Sequence, residues 1–225
     1  MNVFLSTERQ RALTMVEVLA MVAILAILFS LLLPALSRGC TKCQRISCIN
    51  NLKQIGTAFR IWENDNGNEY PWEVSTNLGG SKEYTFGPVF RHFQAMQNEL
   101  GQSPKVVTCP EDKQREAATN FDNFHNWNVS YFLGVTASLT NASDASPNLF
   151  LSGDRNLTNI LGSGPGLFRL TTNDSVGWSH EIHAYKQITA GNILFPDLRV
   201  CVLLTPDLRK KLLEPGAAPR LISLP

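Results

Sequence analysis

An apolar run near the start of the chain constrains its folding most. Residues 18–36 carry no charge, and with the preceding Leu13-Thr14-Met15-Val16-Glu17 the segment covers 13–36. As a helix it would be roughly 36 Å long, against ~30 Å for the hydrocarbon core of a bilayer. The sequence therefore predicts a membrane-spanning helix, preceded by a polar leader, 1–12, that contains Arg9 and Arg11. A cleavable secretory signal has a shorter apolar region, although Ala35-Leu36-Ser37 resembles a small-residue cleavage site. A lipid anchor on Cys40 would want small residues before the cysteine, where Arg38 stands instead. Orientation is not settled by charge, because Arg38, Lys42 and Arg45 follow the run as Arg9 and Arg11 precede it.

Glu17 is the exception within this segment. A carboxylate in a membrane helix is costly, so it points to a function, with snorkelling to the interface as the plainer alternative. Pro34 lacks an amide hydrogen and should kink or loosen the helix, or end the span. Past the membrane, Ile46, Ile49, Leu52, Ile55, Phe59 and Trp62 recur at steps of three or four, so the helix is expected to continue as an amphipathic rod over 37–66. Asn64-Asp65-Asn66-Gly67 supplies the stop.

The rest of the 225-residue chain is polar and rich in turns. Its net charge of +1 gives no basic field for nucleic acid. Short strands are predicted at 105–108, 129–135, 149–152, 166–170, 191–195 and 199–204, with helical stretches at 89–100 and 208–213. The expected class is α+β: a long N-terminal helix, membrane-spanning in its first half, packed on a small antiparallel sheet. The globular domain is placed at 67–204 and a C-terminal tail at 205–225.

The Ala12-Leu13-Thr14-Met15-Val16-Glu17 stretch resembles the prepilin processing motif: a small residue before the cut, an apolar one after it, and Glu at the fifth mature position. Leu33-Pro34-Ala35-Leu36 and Arg45-Ile46-Ser47-Cys48-Ile49-Asn50-Asn51-Leu52 are similar to the pilin pattern beyond it. Ala12 stands where Gly is usual, and Leu13 where Phe is usual. The resemblance is to type IV pilin-like proteins, in particular the pseudopilins of type II secretion. It implies cleavage after Ala12, N-methylation of Leu13, and a Glu17 that faces the new N-terminal amine of a neighbouring subunit. It implies prepilin peptidase, other pseudopilin subunits and an inner-membrane assembly platform as partners, and a domain held in the periplasm. Further on, Val107-Thr108-Cys109-Pro110-Glu111-Asp112, Leu151-Ser152-Gly153-Asp154-Arg155-Asn156, His183 followed by Gly191-Asn192-Ile193-Leu194-Phe195-Pro196-Asp197, and the closing Arg220-Leu221-Ile222-Ser223-Leu224-Pro225 are similar, more weakly, to one large pseudopilin-like subfamily, in which the spacer after the His is shorter and Gly stands where this chain has Leu198.

Five cysteines leave at least one unpaired, and spacing does not fix the pairing. Cys48 and Cys109 are the better candidates for a bridge, free buried thiols being the alternative; such a bridge would staple helix to sheet at a loop-closure value of ~4 kcal/mol. Cys40 and Cys43 form a Cys-x-x-Cys pair with no second pair to complete a zinc site. His180, Glu181, His183, Asp174 and Asp197 could be drawn as a metal or acid–base centre, but polar loop residues are the simpler reading. Asn64-Asp65-Asn66-Gly67-Asn68-Glu69 superficially resembles a calcium loop without the EF-hand spacing, so calcium is kept only as an option. No catalytic motif is found, and a structural subunit is expected. Two other readings are a pilin-like binding protein for a glycan, DNA or a surface, using exposed Tyr70, Trp72, Trp127 and Trp178, and a tethered hydrolase built on His183 and Asp197.

Overall fold

The computed structural model describes residues 14–135, 149–158, 166–170, 176–183, 188–213 and 220–225, with backbone only for 31–42, 169, 170 and 220. Ala12 and Leu13 lie outside the described residues. The chain is α+β, with an N-terminal helix and an antiparallel sheet. It divides into two compact units, Met1–Lys42 and Cys43–Pro225.

Helix α1 runs from Met15 to Asp65. Its start is held by a reciprocal pair: the Glu17 carboxylate accepts from the Thr14 amide at 2.8 Å, and the Glu17 amide donates to the Thr14 hydroxyl at 3.3 Å. This is a capping box, which satisfies amides that have no partner within the helix. The apolar side chains of 15–29 are exposed throughout. Among the described residues no helix is long and apolar enough to cross a membrane. The span expected over 13–36 thus rests on sequence, since Leu13 is outside the described residues and side chains are described only to Ser30.

In the second unit, α1 buries Cys48, Leu52, Ile55, Ala58, Phe59 and Trp62. The expected stripe is corrected at its start: Ile46 is 57% exposed and Cys48 takes its place. Successive steps of three fall short of a full turn by about 60° each, so Ile46 lies about 120° round from Leu52. The helix stops where expected. Gly67 and Asn68 take positive φ, and the Asn68 amide donates to the Glu63 carbonyl at 2.9 Å, closing the last turn.

The sheet is built from β1 (Tyr131–Gly134), β2 (Ser152–Asp154), β4 (Gly166–Leu170), β6 (Ala190–Leu194), β7 (Val200–Leu204) and β8 (Arg220–Leu224), in the order β4-β8-β1-β2-β6-β7. A separate pair joins β3 (Leu157–Thr158) to β5 (Gly177–Trp178). Both faces of the sheet are covered. Tyr131, Leu133 and Leu194 join the α1 face in one core, which also holds Tyr70, Trp72 and Phe93 from the following segment and from helix α2 (Phe90–Ala95). Phe132 and Ile193 point into a second core with Trp178, Phe195 and Ile222, closed by Leu208 and Leu212 of helix α3 (Thr205–Leu213). Burial on both faces explains why β1 shows no apolar–polar alternation, and why β6 is buried throughout although it carries Asn192.

Four further expectations change. The strand placed at 149–152 falls instead at β2, Ser152–Asp154, and the helical stretch placed at 89–100 is helix only over α2, Phe90–Ala95. Residues 105–108 form a 3-10 turn, Pro104–Val107, because Pro104 starts a helical turn and Val107 is buried without a strand partner. The segment placed in a tail forms α3 and β8, and β8 pairs with both β4 and β1. Its Leu221-Ile222-Ser223-Leu224 is short and was overshadowed by the nearby prolines.

His92 of α2 is buried against Ser81, whose hydroxyl lies 2.7 Å from Nδ1, and meets Trp72 edge-on. Burial disfavours its charged form and pushes its pKa down to about 4. The unfolded chain protonates near 6.5, so folding is favoured above that pH and this contribution is lost as pH falls from 6.5 to 4. In urea titrations, the wild type should lose ~2–3 kcal/mol between pH 7 and pH 4.5 that His92→Gln does not lose; identical pH profiles would remove His92 as the cause.

Candidate functional site

The motifs that resemble the pseudopilin-like subfamily come from distant parts of the chain and meet at one buried polar cluster beside α1. Cys48 of α1 is joined to Cys109 by a disulfide that closes a separation of 61 residues, with the Cα atoms 5.1 Å apart. On the next turn, Asn51 Nδ2 donates to the Thr108 carbonyl at 3.0 Å. One turn earlier, Arg45 Nη2 donates to the His183 carbonyl at 2.7 Å. Tyr131 of β1 donates its hydroxyl to the Cys48 carbonyl at 3.4 Å. Three successive turns of α1 are thereby tied to the domain.

Beneath them lies His183, with its ring fully buried. Its Nδ1 is 2.5 Å from the Glu111 carboxylate. Its Nε2 is 2.9 Å from Asn192 Nδ2, 3.4 Å from Asp154 Oδ2 and 3.7 Å from Cys109 Sγ. A carboxylate on Nδ1 fixes the tautomer that carries its hydrogen there, leaving the Nε2 lone pair free to accept. His183 has a φ of 58°, a left-handed conformation that a non-glycine residue holds only where its surroundings enforce it. Here they do: Asn156 Nδ2 donates to the carbonyls of Ser179 and Ile182, fixing the loop just before it.

Asp154 is wholly buried at the end of β2. Its Oδ2 accepts from the Asn192 amide at 2.6 Å, and its Oδ1 has no partner among the described residues. Burial pushes its pKa up to about 8, while the Asn192 amide and Arg45 act in the other direction. Burial also lowers the pKa of His183, against the pull of Glu111. Gly153 lets the strand reach this position, since a Cβ there would lie 2.7 Å from the Phe132 ring and 2.8 Å from the Asn192 carbonyl.

Alongside runs a second interaction. Arg155 binds Asp112 in bidentate fashion, Nε to Oδ2 at 2.7 Å and Nη2 to Oδ1 at 2.8 Å, and also reaches Glu181 at 3.1 Å and Gln114 at 3.0 Å. Burial works against the Arg155 charge, but Asp112 and Glu181 outweigh it and raise its pKa. Glu111 and Asp112, adjacent in sequence, thus hold His183 and Arg155 respectively.

Of the residues singled out from sequence, Cys48 and Cys109 come together. His183 turns inward, whereas His180, Glu181 and Asp197 are exposed, so the drawn metal or acid–base centre is not assembled; Asp174 lies outside the described residues. Asp197 faces Arg199 rather than His183. Tyr70, Trp72 and Trp178 are core residues, leaving only Trp127, 69% exposed, of the four rings proposed for binding. The calcium-like segment forms the end of α1, with Asp65 exposed. Pro34 lies within α1. Glu111, Asp154 and Asn192 were missed as site residues; their signal was their place in the short motifs, but their convergence needs the fold. No protein family, no characterised protein and no solved structure matches this chain.

Removing Asp112 leaves the largely buried Arg155 charge with only the exposed Glu181 to balance it. Asp112→Ala should destabilise the protein by ~3–5 kcal/mol in denaturant unfolding, and the double variant Asp112→Leu/Arg155→Met should recover most of that loss. A single variant within ~1 kcal/mol of wild type would show the pair to be solvated.

Proposed function

We propose that this protein is a pseudopilin-type structural subunit, held in the bacterial inner membrane by the first part of α1 with its domain in the periplasm, and assembled through that helix into a filament. The observation that carries the reading is the contrast along α1. Its apolar side chains at 15–29 have no cover, whereas from Cys48 onward one face is buried. An uncovered apolar helix of this kind needs lipid or the helices of other subunits. The prepilin-like stretch Ala12-Leu13-Thr14-Met15-Val16-Glu17 supports cleavage by prepilin peptidase and methylation of Leu13.

Glu17 then has two roles in succession. Within its own chain it caps α1 through Thr14. In a filament its carboxylate would meet the amine that cleavage creates on a neighbouring subunit, an ion pair whose value lies in registry more than in net energy. The buried cluster around His183 belongs to the same reading as a joint: the α1 segment that carries force from the membrane is fastened to the domain by a disulfide and by Arg45 and Asn51.

The test is the intact mass and N-terminal sequence of the protein from its native membrane. A chain that begins at N-methylated Leu13 is expected; one that begins at Met1 or after Ser37 would overturn the proposal. Glu17→Leu should be processed but lose incorporation into cross-linked oligomers by tenfold or more. Undiminished cross-linking would remove Glu17 from assembly.

A further inference from the structure

We propose that Cys48, Cys109 and His183 form a three-ligand zinc-binding site, with water in the fourth position, that exists when the Cys48–Cys109 bridge is reduced, so that bridge and metal are alternative fasteners of the same joint. The ligand atoms of Cys48, Cys109 and His183 all lie within 4.8 Å of one another, and all three residues are buried. With metal–sulfur bonds of about 2.3 Å and metal–nitrogen bonds of about 2.0–2.1 Å, a zinc tetrahedron has sulfur–nitrogen edges of about 3.6 Å. The Cys109 Sγ to His183 Nε2 distance is 3.7 Å. The two sulfurs are bonded to each other. Once reduced, they need to part to about 3.8 Å.

The surroundings suit a metal independently of these distances. Glu111 holds His183 Nδ1, the arrangement in which a carboxylate orients a zinc-ligating imidazole and raises its basicity. Among the described residues Asp154 Oδ1 is a buried acceptor without a partner, and it would hold a water in the fourth position. Asn192 Nδ2, now on Nε2, is the group that the metal displaces.

The chemistry balances with a dithiol as reductant. It donates two electrons and two protons, the Cys48–Cys109 bond breaks to two thiols, and the dithiol leaves as its own disulfide. Zinc then replaces the two thiol protons, which are released to solvent. On an oxidising side of a membrane the bridge closes and the site is lost.

The test uses full-length protein in detergent with Cys40→Ser, Cys43→Ser and Cys201→Ser, so that only Cys48 and Cys109 remain. Reduced protein, freed of reductant under anaerobic conditions, is titrated with Co2+ and then Zn2+. The expected result is one equivalent of tetrahedral cobalt with thiolate charge-transfer absorption, bleached by one equivalent of zinc, and no such signal from the oxidised protein. His183→Ala should abolish the tetrahedral spectrum, and Glu111→Gln should weaken zinc binding by ~10–100-fold. If the reduced protein has lost its near-UV circular dichroism, one equivalent of zinc should restore it. Absence of a thiolate–cobalt band with no recovery of structure, or an unchanged spectrum in His183→Ala, would overturn the proposal.

Discussion

Leu52, Ile55, Phe59 and Trp62 rise one above another along α1, and covering that face is the constraint to which the rest of the domain answers. Each of these side chains contributes about 1.5–3 kcal/mol on leaving water. A helix that buries only one stripe needs a broad apolar partner, and β1 and β6 provide it through Tyr131, Leu133 and Leu194, with Leu151 from just before β2. Tyr70 and Trp72 stack at 4.8 Å and close edge-on over Phe59, finishing that core from the segment just past the helix end. The second core, on the opposite face of the sheet, lets central strands be apolar on both sides.

Hydrophobic burial is not directional, so it does not by itself set where along α1 the sheet comes to rest. The polar cluster does that. Arg45, Cys48 and Asn51 present one covalent bond and two hydrogen bonds from consecutive turns to His183, Cys109 and Thr108. A slip by one turn would break all three, so these groups fix the register of the helix on the sheet.

In the proposed filament subunit the two properties would serve different ends: the uncovered apolar residues at 15–29 would pack in lipid or against other helices, and the joint would keep the domain from rotating on its helix under load. A disulfide answers the second need without side-chain entropy to lose, and its loop of 61 residues places its loop-closure value near ~4 kcal/mol.

What the sequence determined by itself is what depends on local pattern. The period of apolar residues places α1, and Asn66-Gly67 ends it. Short apolar runs between Gly, Pro and Asn locate β1, β4, β6 and β7, because a strand of that kind has few other ways to bury itself. The Thr14-x-x-Glu17 capping box was also legible, though overshadowed by the membrane context of Glu17. What only the tertiary structure decided is which distant groups meet. Burial of Tyr70, Trp72 and Trp178 depends on layers that no window of sequence contains, and so does the place of β8 between β4 and β1. His183 and Asp197 sit on the same stretch of sequence as plausible partners. The left-handed turn at His183 sends that ring inward to Glu111 and Asp154, whereas Asp197 stays in solvent beside Arg199. The convergence of Glu111, Asp154, His183 and Asn192 follows from antiparallel pairing across β2 and β6, a non-local choice made by the energy of the whole core and not by any of the four residues.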